Sequence, residues 1–362
     1  MKLNVTAPGR ICLFGEHQDY LGLPVIATAI DVKLEIALTT DSAPPRRYRL
    51  LLHDLDREET IDMEQPITYR HERDYLRSAV KILQSEGVCL PKALTATVSS
   101  RIPIAAGTSS SSALCVAWCG ALLEAAGRAE AKDPAYVTRL AHRAEVIEFN
   151  ESGGMMDQAT IAHGGLIHFQ AGASPELIRI AARPQGFVLG DSMQPKDTQA
   201  ILSRVRGTME RTLARFEERG FSFSLASGSL DEARAALQRI AVTGEEADVL
   251  FGNVVNRDLL REARQLLEAG DPEPARLGEL LARHHAELSG RLRISTPKIE
   301  AMVAAAVNAG ALGAKINGSG GGGCMFAYAP GRTAEVATAI EEAGGRAYRV
   351  EISQGLCYEI VE

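Results

Sequence analysis

The sequence predicts an α+β protein of two lobes with a cleft between them. Strand-like runs fill most of the first third of the chain, helical patterns dominate the second half, and helix and strand alternate near the end. A chain of 362 residues is long for one domain, so two domains are expected. The proline-containing segment 182–185 is the predicted boundary, which gives domains 1–185 and 186–362.

The composition restricts the class of protein. Hydrophobic residues make up 46% and charged residues 23%, as in soluble globular proteins with well-filled cores. A net charge of −7 without a Lys/Arg stripe argues against a nucleic-acid surface. The apolar stretches are too short to span a membrane, and six scattered cysteines without a signal peptide indicate the reducing cytoplasm. The oligomeric state is left open.

The first part of the chain reads mainly as strands. Short apolar or alternating runs bounded by Gly, Pro or Asp predict strands at 11–14, 25–30, 33–39, 48–53, 93–98 and 164–169. Apolar residues at helical spacing predict helices at 74–84, 109–126 and 134–149.

The second part reads mainly as helices. The predicted helices are 196–216, 231–240, 255–268, 274–288, 297–309 and 333–343. The predicted strands are 187–189, 324–329 and 348–352.

Segment 313–323 has the most unusual composition in the chain, with six glycines in eleven residues. Glycine loses more backbone entropy on folding than other residues, so proteins concentrate it where the chain needs positive φ or a close approach. Such a loop could close over the phosphates of a nucleotide. A plain glycine-rich hairpin is the structural alternative.

Four consecutive serines, Ser109, Ser110, Ser111 and Ser112, follow Gly107 at the predicted start of a helix. One serine is enough to cap a helix. The free N–H groups and dipole of a helix start attract anions, and the extra hydroxyls can bind phosphate or magnesium. The pattern is not a P-loop, because no Gly-Lys-Ser/Thr follows. A phosphate site is favoured over a flexible serine loop.

An apolar strand delivers Glu16, His17 and Asp19 into one loop, with Arg10 shortly before it. Carboxylates at a loop tip are often solvated surface charges. Here they follow a buried-looking strand and a glycine, which suits a site for sugar hydroxyls. On spacing alone both interpretations stay open.

Asp157 lies in the Gly-Gly-Met-Met-Asp-Gln run 153–158. An isolated aspartate in such a loop most often forms a turn. Beside glycines and two methionines it can instead be partly buried, and it then needs a partner such as Arg10. Glu145, on the preceding helix, reads by itself as a solvated helix charge.

Together these segments resemble the motifs of the GHMP small-molecule kinases, and within that family most closely those of the galactokinases. The matching segments are 8–20 with the sugar-recognition signature, 107–114 with the phosphate loop, 154–158 with the catalytic-aspartate motif and 313–323 with the third motif. The resemblance covers nearly the whole chain, and four motifs in order are highly specific.

The resemblance implies an ATP-dependent phosphotransferase that uses Mg²⁺ and has its active site between the lobes. It implies that Asp157 orients the acceptor hydroxyl and takes its proton late, while Arg10 stabilises charge on the transferred group. The implied magnesium ligands are Ser111 and Glu145. The implied substrate-binding residues are Glu16, His17, Asp19 and Gly154. The implied nucleotide-binding residues are Gly107, Ser109, Ser110, Ser111, Ser112, Gly318, Gly320 and Gly321.

The C1 hydroxyl of galactose is the first choice of acceptor, but the chain departs from the galactokinase pattern. Cys12 replaces the usual asparagine, Ala27 replaces a proline, and segment 201–204 lacks a tyrosine that helps to hold galactose. Arg204 or Arg206 could pair with a substrate carboxylate there, which makes a galacturonate or glucuronate 1-kinase the alternative.

Two further alternatives remain. The Leu-Phe-Gly-Glu-His run at 13–17 also resembles mevalonate kinases, although Arg10 replaces the lysine of that subgroup. A catalytically inactive sugar sensor on the same fold is the alternative from another functional class. Retention of Asp157, Arg10 and Glu145 together argues against a sensor.

Overall fold

The computed structural model describes residues 1–41, 46–104, 107–172, 175–195 and 198–361. The strands in these residues are β1 Lys2–Phe14, β2 Val25–Asp41, β3 Arg47–Leu52, β4 Arg57–Asp62, β5 Ala93–Ser100, β6 Leu166–Gln170, β7 Glu176–Ile180, β8 Phe187–Asp191, β9 Gly313–Ile316, β10 Cys324–Tyr328, β11 Arg346–Val350 and β12 Cys357–Val361.

The helices among the described residues are α1 Tyr75–Ser85, α2 Ser110–Ala125, α3 Pro134–His142, α4 Met156–His163, α5 Thr198–Glu218, α6 Leu230–Arg239, α7 Glu245–Glu268, α8 Pro274–Gly290, α9 Pro297–Asn308 and α10 Thr333–Glu342. The predicted α+β class is confirmed. The first two residues of the predicted helix 196–216 lie outside the described residues. Within the described part of the chain, no helix is long and apolar enough to cross a bilayer.

The larger sheet holds eight strands, in the order β12-β1-β2-β5-β3-β4, with β6 on β2 and β7 on β6. Strand β2 joins the two strands predicted at 25–30 and 33–39. The sequence suggested a break because Asp31 interrupts the apolar pattern. In the structure the pairing with β1 shifts register there, and the Asp31 side chain accepts a hydrogen bond from the Glu351 N–H at 3.0 Å. A bulge therefore continues the strand.

The smaller sheet is antiparallel, in the order β11-β8-β10-β9. Helix α8 packs on β9, and α9 and α10 pack on its other strands. The final strand β12 does not belong to this sheet, because it pairs antiparallel with β1 in the larger one. Strand β12 thus pairs with a strand on the other side of the division predicted at 185/186.

Several short elements were not predicted from the sequence. They are β4, β7, β9, β12 and α4. Within the predicted helix 134–149, the regular α-helix ends at His142, and one π-helical turn, Arg143–Ile147, follows it directly. Such a turn is frequent at functional sites. Here it carries Glu145.

Candidate active site

A cavity of about 530 Å³ lies between the lobes, and all four sequence motifs contribute to its lining. The first lobe supplies the end of β1, the serine-rich start of α2, the π-helical turn and the start of α4. The second lobe supplies three residues from the first turns of α5 and two from the glycine-rich segment, which are Thr198, Gln199, Leu202, Gly318 and Ser319. The contribution of α5 was not predicted, since its sequence reads as an ordinary amphipathic helix.

Asp157 and Arg10 meet at the centre of this cavity. The Arg10 guanidinium donates from Nε to Asp157 Oδ1 at 2.8 Å and from Nη2 to Oδ2 at 3.0 Å, and its Nη1 donates to the carbonyl of Gly107. Burial alone lowers the pKa of Arg10, but the charge and hydrogen bonds of Asp157 outweigh it and raise that pKa. The Asp157 side chain keeps 28% of its surface exposed. It is therefore oriented and still reachable from the cavity.

Ser109 stands at the start of α2 with φ at 62°, a left-handed conformation that is uncommon for serine. Its hydroxyl does not cap the helix but donates to Asp157 Oδ2 at 2.5 Å. The first N–H groups of α2 are therefore left without a side-chain cap, beside the cavity. A helix start of this kind binds anions.

Glu145 is buried next to the same helix start. Ser112 Oγ donates to its Oε1 at 3.0 Å and Gln158 Nε2 donates to its Oε2 at 2.6 Å. Burial raises the pKa of Glu145 to about 7, against the opposing effect of hydrogen bonds from Ser111, Gln158 and Ser112. No bond from a cation to this carboxylate is recorded among the described residues.

A cation therefore fits this position on chemical grounds. The described residues contain no cluster of three or more potential metal-binding side chains. Magnesium in phosphate-transferring sites usually takes only one or two carboxylates, with phosphate oxygens and water completing its shell. A single buried carboxylate beside the Ser111 and Ser112 hydroxyls is a donor set of that type.

Asp19 and Gly154 fit against each other. A Cβ atom at Gly154 would overlap the Asp19 carboxylate, so only glycine leaves room for it. Asp19 Oδ2 accepts a hydrogen bond from the Met156 N–H at 3.4 Å. Burial, and secondly the charge of Asp157, raise the pKa of Asp19 to about 6. Asp19 is thus a desolvated carboxylate in the cavity wall.

His17, in the loop 15–24 between β1 and β2, contacts the second lobe. Its Nε2 donates to the Ser319 carbonyl at 3.0 Å, and its Nδ1 accepts from the Tyr20 hydroxyl at 2.7 Å. Glu16 lines the cavity, but it is only 1% exposed and pairs with Lys315. Lys315 was missed from the sequence because lysine is usually exposed, and only its position between apolar residues signals burial.

The glycine-rich segment divides into two parts. Gly318 lines the cavity, at a φ of 76°, and a Cβ there would lie 2.8 Å from the Gly107 carbonyl oxygen. Gly320 and Gly321 were predicted to face phosphates, but the structure places them outside the cavity lining. Both have positive φ, and side chains there would overlap the Ile294 carbonyl and the Ile201 side chain respectively. Glycine at these two positions avoids both overlaps.

Arg204 and Arg206, considered as partners for a substrate carboxylate, also lie outside the cavity lining. Arg204 donates to Glu245 at 2.6 Å and to the Leu292 carbonyl at 2.8 Å, and Arg206 donates to Glu210 at 2.7 Å. Among the lining residues that the structure describes, the cations besides histidine are Arg10 and Arg73, and each is paired with a carboxylate.

Three family models match the chain. The GHMP kinases N terminal domain matches residues 74–165, and the GHMP kinases C terminal model matches residues 260–346. The galactokinase galactose-binding signature matches residues 2–40, the segment that carries Arg10 and Asp19.

The similar sequences and the similar solved structures carry two different names. The mevalonate kinases of Thermococcus gammatolerans and Pyrococcus furiosus are each 31% identical, over 100% of this chain and 99% of theirs. The galactokinase of Lactococcus lactis, solved with galactose, has a TM-score of 0.85 at 21% identity over 98% of this chain and 95% of its own. The mevalonate kinase of Methanococcus jannaschii has a TM-score of 0.73 at 17% identity over 97% and 98%.

Proposed function

The chain belongs to the GHMP kinase family of phosphotransferases, and on that premise we propose that it transfers the γ-phosphate of ATP to the anomeric hydroxyl of a neutral monosaccharide. Galactose is the first choice. The galactose-binding signature over 2–40 and the likeness to the Lactococcus lactis enzyme support it. Because the similar sequences are named mevalonate kinases, the acceptor class has to be argued from the charges of the site.

The observation that carries the proposal is Asp19. This buried carboxylate lines the cavity and forms no ion pair with any residue in the described ranges. A carboxylate accepts hydrogen bonds from hydroxyl groups and repels another carboxylate. Mevalonate and the uronic acids each carry a carboxylate that would need an unpaired cation. The lining arginines, Arg10 and Arg73, already have acidic partners.

In this proposal each motif has a separate task. Asp157, oriented by Arg10 and Ser109, accepts the proton of the acceptor hydroxyl, while Arg10 offsets charge on the transferred group. The uncapped start of α2 receives the nucleotide phosphates. Ser111 and Glu145 would hold Mg²⁺, which supplies positive charge to the phosphate oxygens when bound.

A mevalonate-type kinase is the second candidate, favoured by the 31% identity over the whole chain. A uronic-acid kinase is weakened because Arg204 is directed to Glu245 and not to the cavity. An inactive sensor is weakened because it would not need Asp157, Arg10 and Ser109 in one hydrogen-bonded group.

The test is an acceptor panel with ATP and Mg²⁺: galactose, galacturonate, glucuronate and mevalonate, each followed by ADP release and identification of the phosphorylated product. We expect galactose or another neutral sugar to have the highest kcat/KM, with Asp157→Asn as the inactive control. Turnover of mevalonate alone would contradict the acceptor class and leave the family assignment intact. No turnover, with tight sugar binding, would favour the sensor.

A further inference from the structure

Helix α4 contributes two adjacent side chains to the cleft, and these contact different partners. Asp157 and Gln158 lie near its start, and successive residues of a helix are about 100° apart around its axis. Asp157 meets Arg10 and Ser109. Gln158 is directed to Glu145 instead, and its Nε2 donates to Glu145 Oε2 at 2.6 Å. One short helix therefore supplies the central carboxylate and a hydrogen-bond donor to a second one.

Glu145 receives a hydrogen bond on each carboxylate oxygen. Gln158 reaches Oε2 from α4, and Ser112 Oγ donates to Oε1 from α2 at 3.0 Å. Ser111 also hydrogen-bonds this carboxylate. Glu145 and Gln158 are only 6% and 1% exposed, and both line the cavity. An ionised carboxylate has about four lone-pair sites, so these donors fix Glu145 and still leave room for a cation.

The Gln158 amide has no other polar contact among the described residues. Its nitrogen donates to Glu145, while its buried Oε1 has no hydrogen-bond partner in that part of the chain. A buried polar atom without a partner costs stability. The bond to Glu145 is thus the contact that accounts for an amide at position 158.

We propose that Gln158 is a positioning residue for the metal-binding carboxylate: it orients Glu145 and thereby sets how strongly Mg²⁺ strengthens nucleotide binding. Side chains that contact a metal ligand and not the metal itself typically change metal affinity about 10- to 100-fold when they are removed. The inference rests on the proposed function, since it requires Glu145 to hold Mg²⁺ beside the nucleotide phosphates. It gives Gln158 a role separate from that of its neighbour Asp157.

The test measures binding and needs neither an acceptor nor turnover. Calorimetry gives the Kd of AMPPNP, an ATP analogue with a non-hydrolysable β–γ link, once with Mg²⁺ and once with EDTA. The ratio of the two Kd values is the magnesium advantage. Gln158→Met removes the donor and keeps the size of the side chain. Gln158→Asn withdraws the amide by one methylene group, and it supplies the same comparison if Gln158→Met does not fold.

Gln18→Met is the matched control. The Gln18 side chain is as buried as that of Gln158, and its Oε1 also lacks a partner among the described residues. Its amide nitrogen, however, donates to the backbone carbonyl of Asn253 at 2.8 Å and not to a carboxylate. Loss of a buried amide is therefore common to both variants, and loss of a contact to Glu145 is not.

We expect Gln158→Met to lower the magnesium advantage about tenfold or more, while the Kd in EDTA stays within about threefold of wild type. Gln18→Met should keep the wild-type advantage. Because Gln158 acts only through Glu145, adding Gln158→Met to Glu145→Gln should lower the advantage no further than Glu145→Gln alone. Melting temperatures establish that each variant is folded.

A wild-type magnesium advantage in a folded Gln158 variant would overturn the positioning role. Equal weakening of AMPPNP binding with Mg²⁺ and with EDTA would also overturn it, because that is the result of a structural role. A further loss in the Glu145→Gln background would show that Gln158 does not act through Glu145. A wild type without a magnesium advantage, or Glu145→Gln with a full one, would instead refute the proposed metal site, before any Gln158 variant is measured.

Discussion

Two groups of buried carboxylates in the first lobe differ in whether a cation is paired with them. Glu59 and Asp74 surround the guanidinium of Arg77, which donates to Glu59 Oε2 at 3.0 Å and to Asp74 Oδ2 at 2.9 Å. In the cleft, Asp19 and Glu145 are equally buried, but no bond to a cation is recorded for either among the residues described.

The pKa values separate the two groups. Burial alone raises the pKa of Glu59, but hydrogen bonds from Arg77 and His71 outweigh it, and the pKa is lowered. Burial raises the pKa of Asp19 to about 6 and that of Glu145 to about 7. A charge buried without its counterion costs stability. The cleft therefore contains two carboxylates, Asp19 and Glu145, that do not stabilise the fold. Such groups are expected where a ligand completes the site.

Removing the central carboxylate of the cleft should have the largest effect on turnover. Asp157→Asn keeps the size of the side chain but cannot accept the proton of the acceptor, so kcat should fall ~10²–10⁴-fold. Steady-state ADP release at saturating substrates measures it. Asp74→Asn is the control from the other group and should keep kcat per folded molecule. Near-normal turnover by folded Asp157→Asn would remove it from the chemistry.

Removing the cation of the paired group should instead reduce stability. Arg77→Met leaves buried Asp74 without its cation and leaves Glu59 only the partly exposed Arg57 and His71, and breaking such a group costs about 3–5 kcal/mol. Urea unfolding measures the change. Arg49→Met removes the exposed pair with Glu58 and should change the free energy of unfolding far less, because water screens this pair. Equal decreases in the free energy of unfolding for Arg77→Met and Arg49→Met would show that the buried pairing of Arg77 contributes no more than an exposed pair.

A small change in packing should act on the acceptor alone. Gly154→Ala places a methyl group against the Asp19 carboxylate and should raise the acceptor KM about tenfold. A tenfold change corresponds to about 1.4 kcal/mol of binding free energy. Gly153→Ala is the matched control, because its Cβ would lie 3.6 Å from Val146, an ordinary contact. Identical acceptor KM values for the two variants would show that Asp19 is not displaced or not needed.

The acceptor KM should depend on pH through Asp19. Its pKa of about 6 in the folded protein means that protonation below pH 6 removes the negative charge and turns one acceptor oxygen into a donor, which weakens the hydrogen bonds from acceptor hydroxyls. At pH 5 about one tenth of the molecules keep the charge, so the acceptor KM should be about tenfold higher than at pH 8. The profile should be flat in Asp19→Asn. A wild-type profile as flat as that of the variant would contradict the proposed role of Asp19 in acceptor binding.

The sequence predicted the parts of the molecule that are encoded locally. A helix such as α1 follows from apolar spacing, and the residues that meet in the cavity were identified because their motifs are contiguous. Pairings between distant segments carry no local signal. The addition of β12 to β1 and the burial of Lys315 beneath Glu16 depend on three-dimensional contact, and so they were missed.

Glycine was the least reliable signal for the site. Gly318 and Gly154 make room at the cavity, whereas Gly320 and Gly321 make room for Ile294 and Ile201. All four belong to glycine-rich motifs, and composition cannot tell a backbone that approaches a ligand from one that approaches its own fold. The two kinds of glycine are distinguished only by what a Cβ atom built at each position would contact.

The central claim is that the cleft keeps Asp19 for the acceptor at a cost in stability. Asp19→Asn at pH 8 tests it with two readouts, the free energy of unfolding and the acceptor KM. Since the folded-state pKa is raised above the ordinary value of 3.8, the ionised side chain destabilises the fold increasingly as pH rises from about 4 to about 6, and fully above that. The account predicts that the variant is more stable, by up to about 3 kcal/mol, and that its acceptor KM is about 10- to 100-fold higher. A less stable variant, or one with the acceptor KM of wild type, would contradict it.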